Sequence, residues 1–209
     1  MIKILIADDH AIVREGLKQI LAEEPDMKVT GEAGDANELF ALLKKDVWNA
    51  VVLDINMPGK SGLDALKDLK KEYPDLPVLI LSMYAEEQYG VRALKAGASG
   101  YLKKASAPNE FVAAIRTIIK GRKYISPSLA ENLADNINAG NHHSNKLSDR
   151  EYEILLKIAM GNSTEDIANE LCISVHTVYS YRNRILDKLN LKTNVELTQY
   201  AIQNKLIEL

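Results

Sequence analysis

Cys172 is the single cysteine of the chain, so no intrachain disulfide can form. It stands between Leu171 and Ile173 near an expected helix end, where a small buried apolar side chain is favoured over a reactive thiol. Long apolar runs are also missing: none reaches the roughly 18 residues of a membrane-spanning helix, and the N-terminus opens into a strand pattern instead of a basic, apolar leader. A cytoplasmic protein with no membrane partner is expected. The chain does have 209 residues and 46% hydrophobic content, enough for two ordinary domain cores.

Up to about Lys123, apolar runs alternate with helical periodicity, which predicts a repeated strand-then-helix unit. Strands are expected near 2–7, 28–33, 49–53, 77–82 and 99–102. The first helical pattern carries Ile12, Leu17, Ile20 and Leu21, and the last carries Val112, Ile115, Ile118 and Ile119, each as one apolar stripe facing a sheet. Strands such as Met1–Ala7 and Ala50–Leu53 are of the kind buried on both faces. The implied class is α/β, a doubly wound five-stranded parallel sheet.

Ligands of such sheets bind beyond the carboxyl ends of the strands. Asp8 and Asp9 follow the first strand and Asp54 ends another, which predicts a carboxylate pocket that holds a divalent metal and takes up a phosphoryl group. The competing reading is three separate caps at loop starts. The strand Pro77–Leu81, however, ends on the hydroxyl of Ser82, and Gly100–Lys104 brings a lysine to the same edge. Three carboxylates, a hydroxyl and an ammonium are hard to account for as caps.

Over about 120 residues the chain resembles the receiver domain of two-component response regulators. The resemblance rests on Ile6-Ala7-Asp8-Asp9-His10, Leu53-Asp54-Ile55-Asn56-Met57-Pro58-Gly59 and Gly100-Tyr101-Leu102-Lys103-Lys104. It implies a flavodoxin-like fold, with Asp54 the phosphoacceptor, Asp8 and Asp9 the metal-side acids and Ser82 the hydroxyl that meets the phosphoryl oxygens. Lys104 would neutralise one of those oxygens, and Tyr101 would be the switch aromatic. Lys103, one position early, is expected to face the other side of its strand. A carboxylate attacking phosphorus brings negative charge toward negative charge, so Mg²⁺ is the implied cofactor, held by Asp9, Asp54 and, by family analogy, the backbone carbonyl of Asn56. Crowding of Asp8, Asp9 and Asp54 is expected to raise at least one carboxylate pKa. Asn56 and Tyr84 would flank the phosphoryl group. There an amide cannot act as a base and a phenol can obstruct water, so slow self-dephosphorylation is expected unless Tyr84 points to solvent.

From Tyr124 the pattern changes. Ser126-Pro127 reads as an N-cap with proline in the first helical turn, opening a polar helix to about Ile137. Asn138–Asn145 has almost no apolar content and reads as a flexible linker, in which His142-His143 is a solvated loop and not a metal site. The expected organisation is a receiver over 1–122, a linker with a short helix over 123–146 and an all-helical unit over 147–209.

In that last unit Ser148 and Glu151 have capping-box spacing, Gly161–Asp166 separates two helices, and Cys172–Val178 turns tightly into a helix capped by Ser174. Two helices so joined form a helix-turn-helix, whose second helix can enter the major groove. The unit resembles the LuxR-type DNA-binding domain on Leu147–Glu151, Gly161, Ile167-Ala168, Ser174, Thr177-Val178, Lys188-Leu189 and Lys192-Thr193. A receiver joined to it is the layout of the NarL/FixJ response regulators, and Val195-Glu196-Leu197-Thr198 is similar to the ending of GacA- and UvrY-like members.

On a helical wheel Val178, Ile185 and Leu189 form the core side of that second helix. Tyr179, Ser180, Asn183 and Asp187 lie opposite, with Arg184 beside them; the short polar side chains and Arg184 are expected at base edges, and Arg182, Lys188, Lys192 and Thr193 at the phosphates of double-stranded DNA. A merely solvated face is the alternative. Residues 147–209 carry a balance of −2, whereas Leu171–Lys205 carries +3, which predicts modest monomer affinity and reliance on a homodimer. Val195, Leu197, Tyr200, Ala201 and Leu206 form either its surface or a core helix.

The reading that uses both halves is a transcription regulator, not an enzyme, in which phosphorylation by a sensor histidine kinase drives dimerisation and DNA binding. A haloacid-dehalogenase-type phosphatase places two Asp two residues apart on its first strand, whereas Asp8 and Asp9 are adjacent. A protein-binding adaptor is favoured only by the acidic balance.

Overall fold

Strands without a polar face must be covered on both sides. β3 (Ala50–Asp54) and β4 (Val78–Ser82) are buried along their whole length, and β1 (Ile2–Ala7) from Ile4 onward. With β2 (Met27–Ala33) and β5 (Gly100–Lys103) they form an all-parallel sheet in the order β2-β1-β3-β4-β5. The connecting helices are α1 (Ala11–Ala22), α2 (Ala36–Leu43), α3 (Gly62–Glu72) and α4 (Glu86–Lys95), and α5 (Pro108–Ile118) follows β5. The chain's route across the sheet reverses between β1 and β3, which makes the crevice at their carboxyl ends the topological switch point. Asp8, Asp54, Ser82 and Lys104 all lie at this edge of the sheet.

The structure is a computed structural model that describes residues 1–138, 146–204 and 206–207. Residues 139–145, with His142, His143 and all but the first residue of the expected flexible stretch Asn138–Asn145, and also Lys205, lie outside the described residues. The chain divides into two units, Met1–Ala130 and Glu131–Leu209.

In the first unit Ile4, Ile6, Val52, Leu79, Leu81 and Leu102 of the sheet pack with Leu17 and Leu21 of α1 and with Phe111, Ile115 and Ile118 of α5. Full burial of each such side chain contributes about 1.5–3 kcal/mol. Ile12 departs from its expected place in the stripe and is 84% exposed. It lies five residues before Leu17, about 140° round the helix, and Val13 takes the inner position instead. Gly62 opens α3 where the chain doubles back on the end of β3: a Cβ there would stand 2.1 Å from the Asp54 carbonyl oxygen. Only glycine permits this approach.

The first unit runs through Ala130. It therefore includes Lys123–Ser126 and the first turn of α6 (Pro127–Asn138), in which the Ser126 hydroxyl accepts from the Leu129 N–H at 3.1 Å as an N-cap should.

The second unit contains α7 (Asp149–Ala159), α8 (Thr164–Glu170), α9 (Val175–Leu189) and α10 (Asn194–Gln203). Hydroxyls start each of them: Ser148, Ser163, Ser174 and Thr193 accept from the backbone of Glu151, Asp166, Thr177 and Glu196. The capping box of Ser148 and Glu151 is complete in both directions. Val178 and Ile185 are buried as the wheel requires, but Leu186 is buried where Leu189 was expected and Leu189 is half-buried. On α10, Leu197 and Ala201 are core residues and Val195 is exposed.

Cys172 corrects an expectation. Its thiol is exposed, because the residue takes φ +52° just past the end of α8. There Ile173 N–H reaches the Ala168 carbonyl at 3.0 Å and Cys172 N–H reaches that of Asn169 at 3.2 Å, the Schellman pattern. The left-handed residue of that motif turns its side chain away from the core. Among the described residues no helix is long and apolar enough to cross a membrane.

Candidate functional site: a carboxylate pocket and a helix-turn-helix face

The carboxyl ends of four strands supply the pocket. Lys104 Nζ lies 2.7 Å from Asp54 Oδ2 and 2.7 Å from Asp8 Oδ2, and all three side chains are 6% exposed or less. Lys104 is presented there because its N–H bonds to the Ser82 carbonyl at 2.8 Å, while Lys103 is exposed on the other side of the strand. Asp9 sits at the rim, its carboxylate 2.6 Å from His10 Nδ1. Ligand atoms from Asp8, Asp9, His10 and Asp54 lie within 4.8 Å of one another. Such an oxygen-rich set suits a hard divalent cation.

Burial pushes the Asp54 carboxyl up to about 6, with the Lys104 ammonium opposing and the Asp8 carboxylate reinforcing the rise. Burial pulls Lys104 down, but Asp54 and Asp8 outweigh it, so its pKa is raised. The lysine therefore remains a cation; a carboxyl is raised as expected, but burial and not crowding is the first cause, with Asp8 the neighbouring acid that adds to it. A cation at the rim would relieve the same penalty.

Around this centre, Asn56 N–H donates to Asp54 Oδ1 at 3.1 Å and the Asn56 amide donates to the Tyr84 phenol at 3.3 Å. Asn56 Oδ1 is buried without a hydrogen-bond partner. Ser82 is fully buried and its Oγ accepts from Tyr84 N–H at 3.1 Å. Tyr101 is also fully buried, and its phenol donates to the Tyr84 carbonyl at 2.9 Å. The ring of Tyr101 thus occupies an inward position. Tyr84 is half-buried and tied to Asn56, so the solvent-pointing alternative does not hold.

Two contributors were not singled out from the sequence. His10 adds an imidazole beside Asp9, and Arg14 on α1 donates to the Asp8 carbonyl at 2.6 Å, fixing the loop that carries both acids. Only the adjacency of His10 to the acids was a readable signal.

In the second unit Tyr179 is 48% exposed, and Asn183, Arg184, Asp187, Lys188, Lys192 and Thr193 are exposed with it. Arg184 lies 5.8 Å from the centre of the Tyr181 ring. Several of the expected DNA contacts are already engaged. The Ser180 hydroxyl donates to the His176 carbonyl at 3.0 Å, Arg182 reaches Asn194 Oδ1 at 2.6 Å, and Thr193 caps α10. Lys188 Nζ lies 2.6 Å from Glu151 Oε2, the oxygen that also accepts from Ser148 N–H. Behind this face, Arg150 pairs with Glu153 within α7 at 2.8 Å, and Lys157 with Glu170 at 2.5 Å ties α7 to α8.

Residues 4–116 match the response regulator receiver domain family, and residues 145–201 match the bacterial regulatory proteins of the luxR family. The chain is a response regulator of the NarL/FixJ family. Oxygen regulatory protein NreC of Staphylococcus epidermidis is 38% identical over 216 aligned positions that cover 99% of each chain. Response regulator GacA of Pseudomonas aeruginosa is 36% identical, covering 100% of this chain and 99% of GacA. Salmonella RcsB, solved on the rprA promoter with the phosphomimetic BeF₃⁻, aligns with a TM-score of 0.66 at 27% identity over 95% of this chain and 97% of RcsB.

Proposed function

We propose that this response regulator accepts a phosphoryl group on Asp54 from a sensor histidine kinase, and that the modified chain forms a homodimer on double-stranded DNA to regulate transcription. The observation that carries the reading is the single ammonium of Lys104 held between Asp8 and Asp54 in a buried pocket. An Asp54 oxygen attacks the phosphorus of a phosphohistidine, the O–P bond forms as the N–P bond breaks, and the departing imidazole takes up a proton. Asp8, Asp9, Asp54 and the Asn56 carbonyl would hold Mg²⁺, which supplies positive charge between the two anions. Ser82 and Lys104 then hold phosphoryl oxygens, Lys104 exchanging its bond to Asp54 for one to the new group. The chain acts as an acceptor, not as an enzyme that turns over a separate substrate, and works in the cytoplasm.

On the output side, α9 would enter the major groove with Tyr179, Ser180, Asn183 and Arg184 at base edges, while Arg182, Lys188, Lys192 and Thr193 meet phosphates. The RcsB complex with promoter DNA supports this use of the domain. Duplex binding measured with and without a small phosphoryl donor tests the proposal. Affinity is expected to rise on phosphorylation and to fall steeply with salt; a phosphorylated chain that binds no duplex but captures a protein would favour the adaptor.

A further inference from the structure

The first turn of α6 is fastened to α4 inside the first unit. Glu86, buried at the first position of α4, accepts through Oε2 from the hydroxyls of Ser126 and of Ser128, the latter at 2.9 Å. The Ser126 oxygen also accepts from Leu129 N–H at 3.1 Å, so one hydroxyl both caps α6 and holds it down. Leu129 is fully buried against Gly90, where a Cβ would stand 2.5 Å from its Cδ1. Upstream, Tyr124 N–H bonds to the Ser99 carbonyl at 2.8 Å, and the Tyr124 phenol donates to Glu110 at 2.9 Å. A buried carboxylate persists only where donors satisfy it, and a leucine seated on a glycine is a shaped contact. This is a built attachment.

The same end of α4 borders the carboxylate pocket. Glu86 follows Tyr84 by two residues, and the Tyr84 carbonyl holds the Tyr101 phenol while the Tyr84 phenol holds the Asn56 amide. The Tyr84 ring also lies 4.9 Å from that of Tyr89 on α4. A shift of Tyr84 must move the start of α4, and with it Glu86. α6 itself runs from Pro127 to Asn138, across the division between the units at Ala130. The attachment therefore lies on the covalent route between them.

We propose that Glu86, Gly90, Ser126, Ser128 and Leu129 form a latch that holds the first turn of the linker helix on α4, and that phosphoryl uptake at Asp54 opens it through Asn56, Tyr84 and Tyr101. The trigger rests on the function proposed above; the latch adds the route by which the output unit is informed. It is a two-state element of the kind a ligand can bias. Opening releases two hydroxyls to water and lifts Leu129 from its seat, so α6 frays from its N-terminal end.

Hydrogen exchange of the full chain, read by mass spectrometry on peptides over 126–134, tests the latch. With Mg²⁺ and a small acyl phosphate, exchange there is expected to rise at least tenfold while peptides of α1 are unchanged. Without a donor, Ser126→Ala combined with Ser128→Ala is expected to give the same rise and to retain labelling of Asp54. Gly90→Ala, which drives a methyl into Leu129, should do likewise, and the serine pair decides the matter if that variant does not fold. A labelled chain whose 126–134 peptides stay protected overturns the latch and leaves the functional proposal standing, and so does a serine-pair variant as protected as the parent. A chain that takes up no label overturns the functional proposal and the trigger together.

Discussion

The Asn56 amide donates to the Tyr84 phenol across 3.3 Å, so the two residues that follow Asp54 and Ser82 by two positions are joined beside the proposed phosphoacceptor. Water that hydrolyses an aspartyl phosphate must reach phosphorus opposite the aspartyl oxygen, and a phenol anchored there obstructs it. Slow loss of phosphate is expected. Tyr84→Ala and Tyr84→Glu should accelerate it about tenfold, roughly 1.4 kcal/mol of barrier, as followed by release of labelled phosphate in Mg²⁺. Unchanged lifetimes in both variants would refute obstruction.

Lys104→Ala separates uptake from its consequence. The variant keeps Asp54 and the acids proposed to hold the metal but loses the ammonium between Asp8 and Asp54. Partial labelling is expected to persist while duplex affinity no longer responds to the donor. A variant whose affinity still rises on labelling would remove Lys104 from the coupling.

Stability of the first unit should depend on pH through Asp54. Its carboxyl is raised to about 6 in the folded chain and titrates near about 4 when unfolded. Between those values the folded state binds more protons, so stability falls as pH rises from about 4 to about 6 and then levels, by an amount on the order of 3 kcal/mol. Asp54→Asn is expected to remove this share of the slope and to raise the melting temperature at pH 7 without metal. A melting temperature of Asp54→Asn equal to the parent's at pH 7 would contradict the burial penalty.

The DNA face makes a graded prediction. Asn183→Ala should relax sequence preference by about 1–3 kcal/mol at one position, whereas Lys192→Ala should weaken all duplexes alike and reduce the salt slope by about 1. Lys188 is shared with Glu151 at 2.6 Å, so Lys188→Ala should change the slope less than Lys192→Ala. Equal slopes for the two variants would mean that Glu151 yields Lys188 fully to phosphate.

Much of this was legible in the chain. Period and apolar runs place all five strands to within a residue or so at each end: β3 and β4 are covered on both faces and leave no polar positions to confuse the reading, while β2 alternates buried and exposed residues. The pocket was legible because its members end strands of one parallel sheet, and such ends converge by topology alone. Pairings between distant segments were not: Lys188 with Glu151 and Glu86 with Ser126 are fixed by tertiary approach, which no local period encodes. Cys172 misled because its apolar neighbours imply burial, whereas its place past the end of α8 imposes a left-handed backbone that turns it outward. Tyr101 was identified, but its inward rotamer depends on the Tyr84 carbonyl, a backbone group with no signature in sequence.

The most direct measurement is labelling of the full chain with a radioactive phosphoryl donor in Mg²⁺, comparing the parent with Asp54→Ala and with a metal-chelated sample. Acid-labile label in the parent alone is the expected result. Full labelling of Asp54→Ala, or labelling that ignores the chelator, would contradict the central assignment.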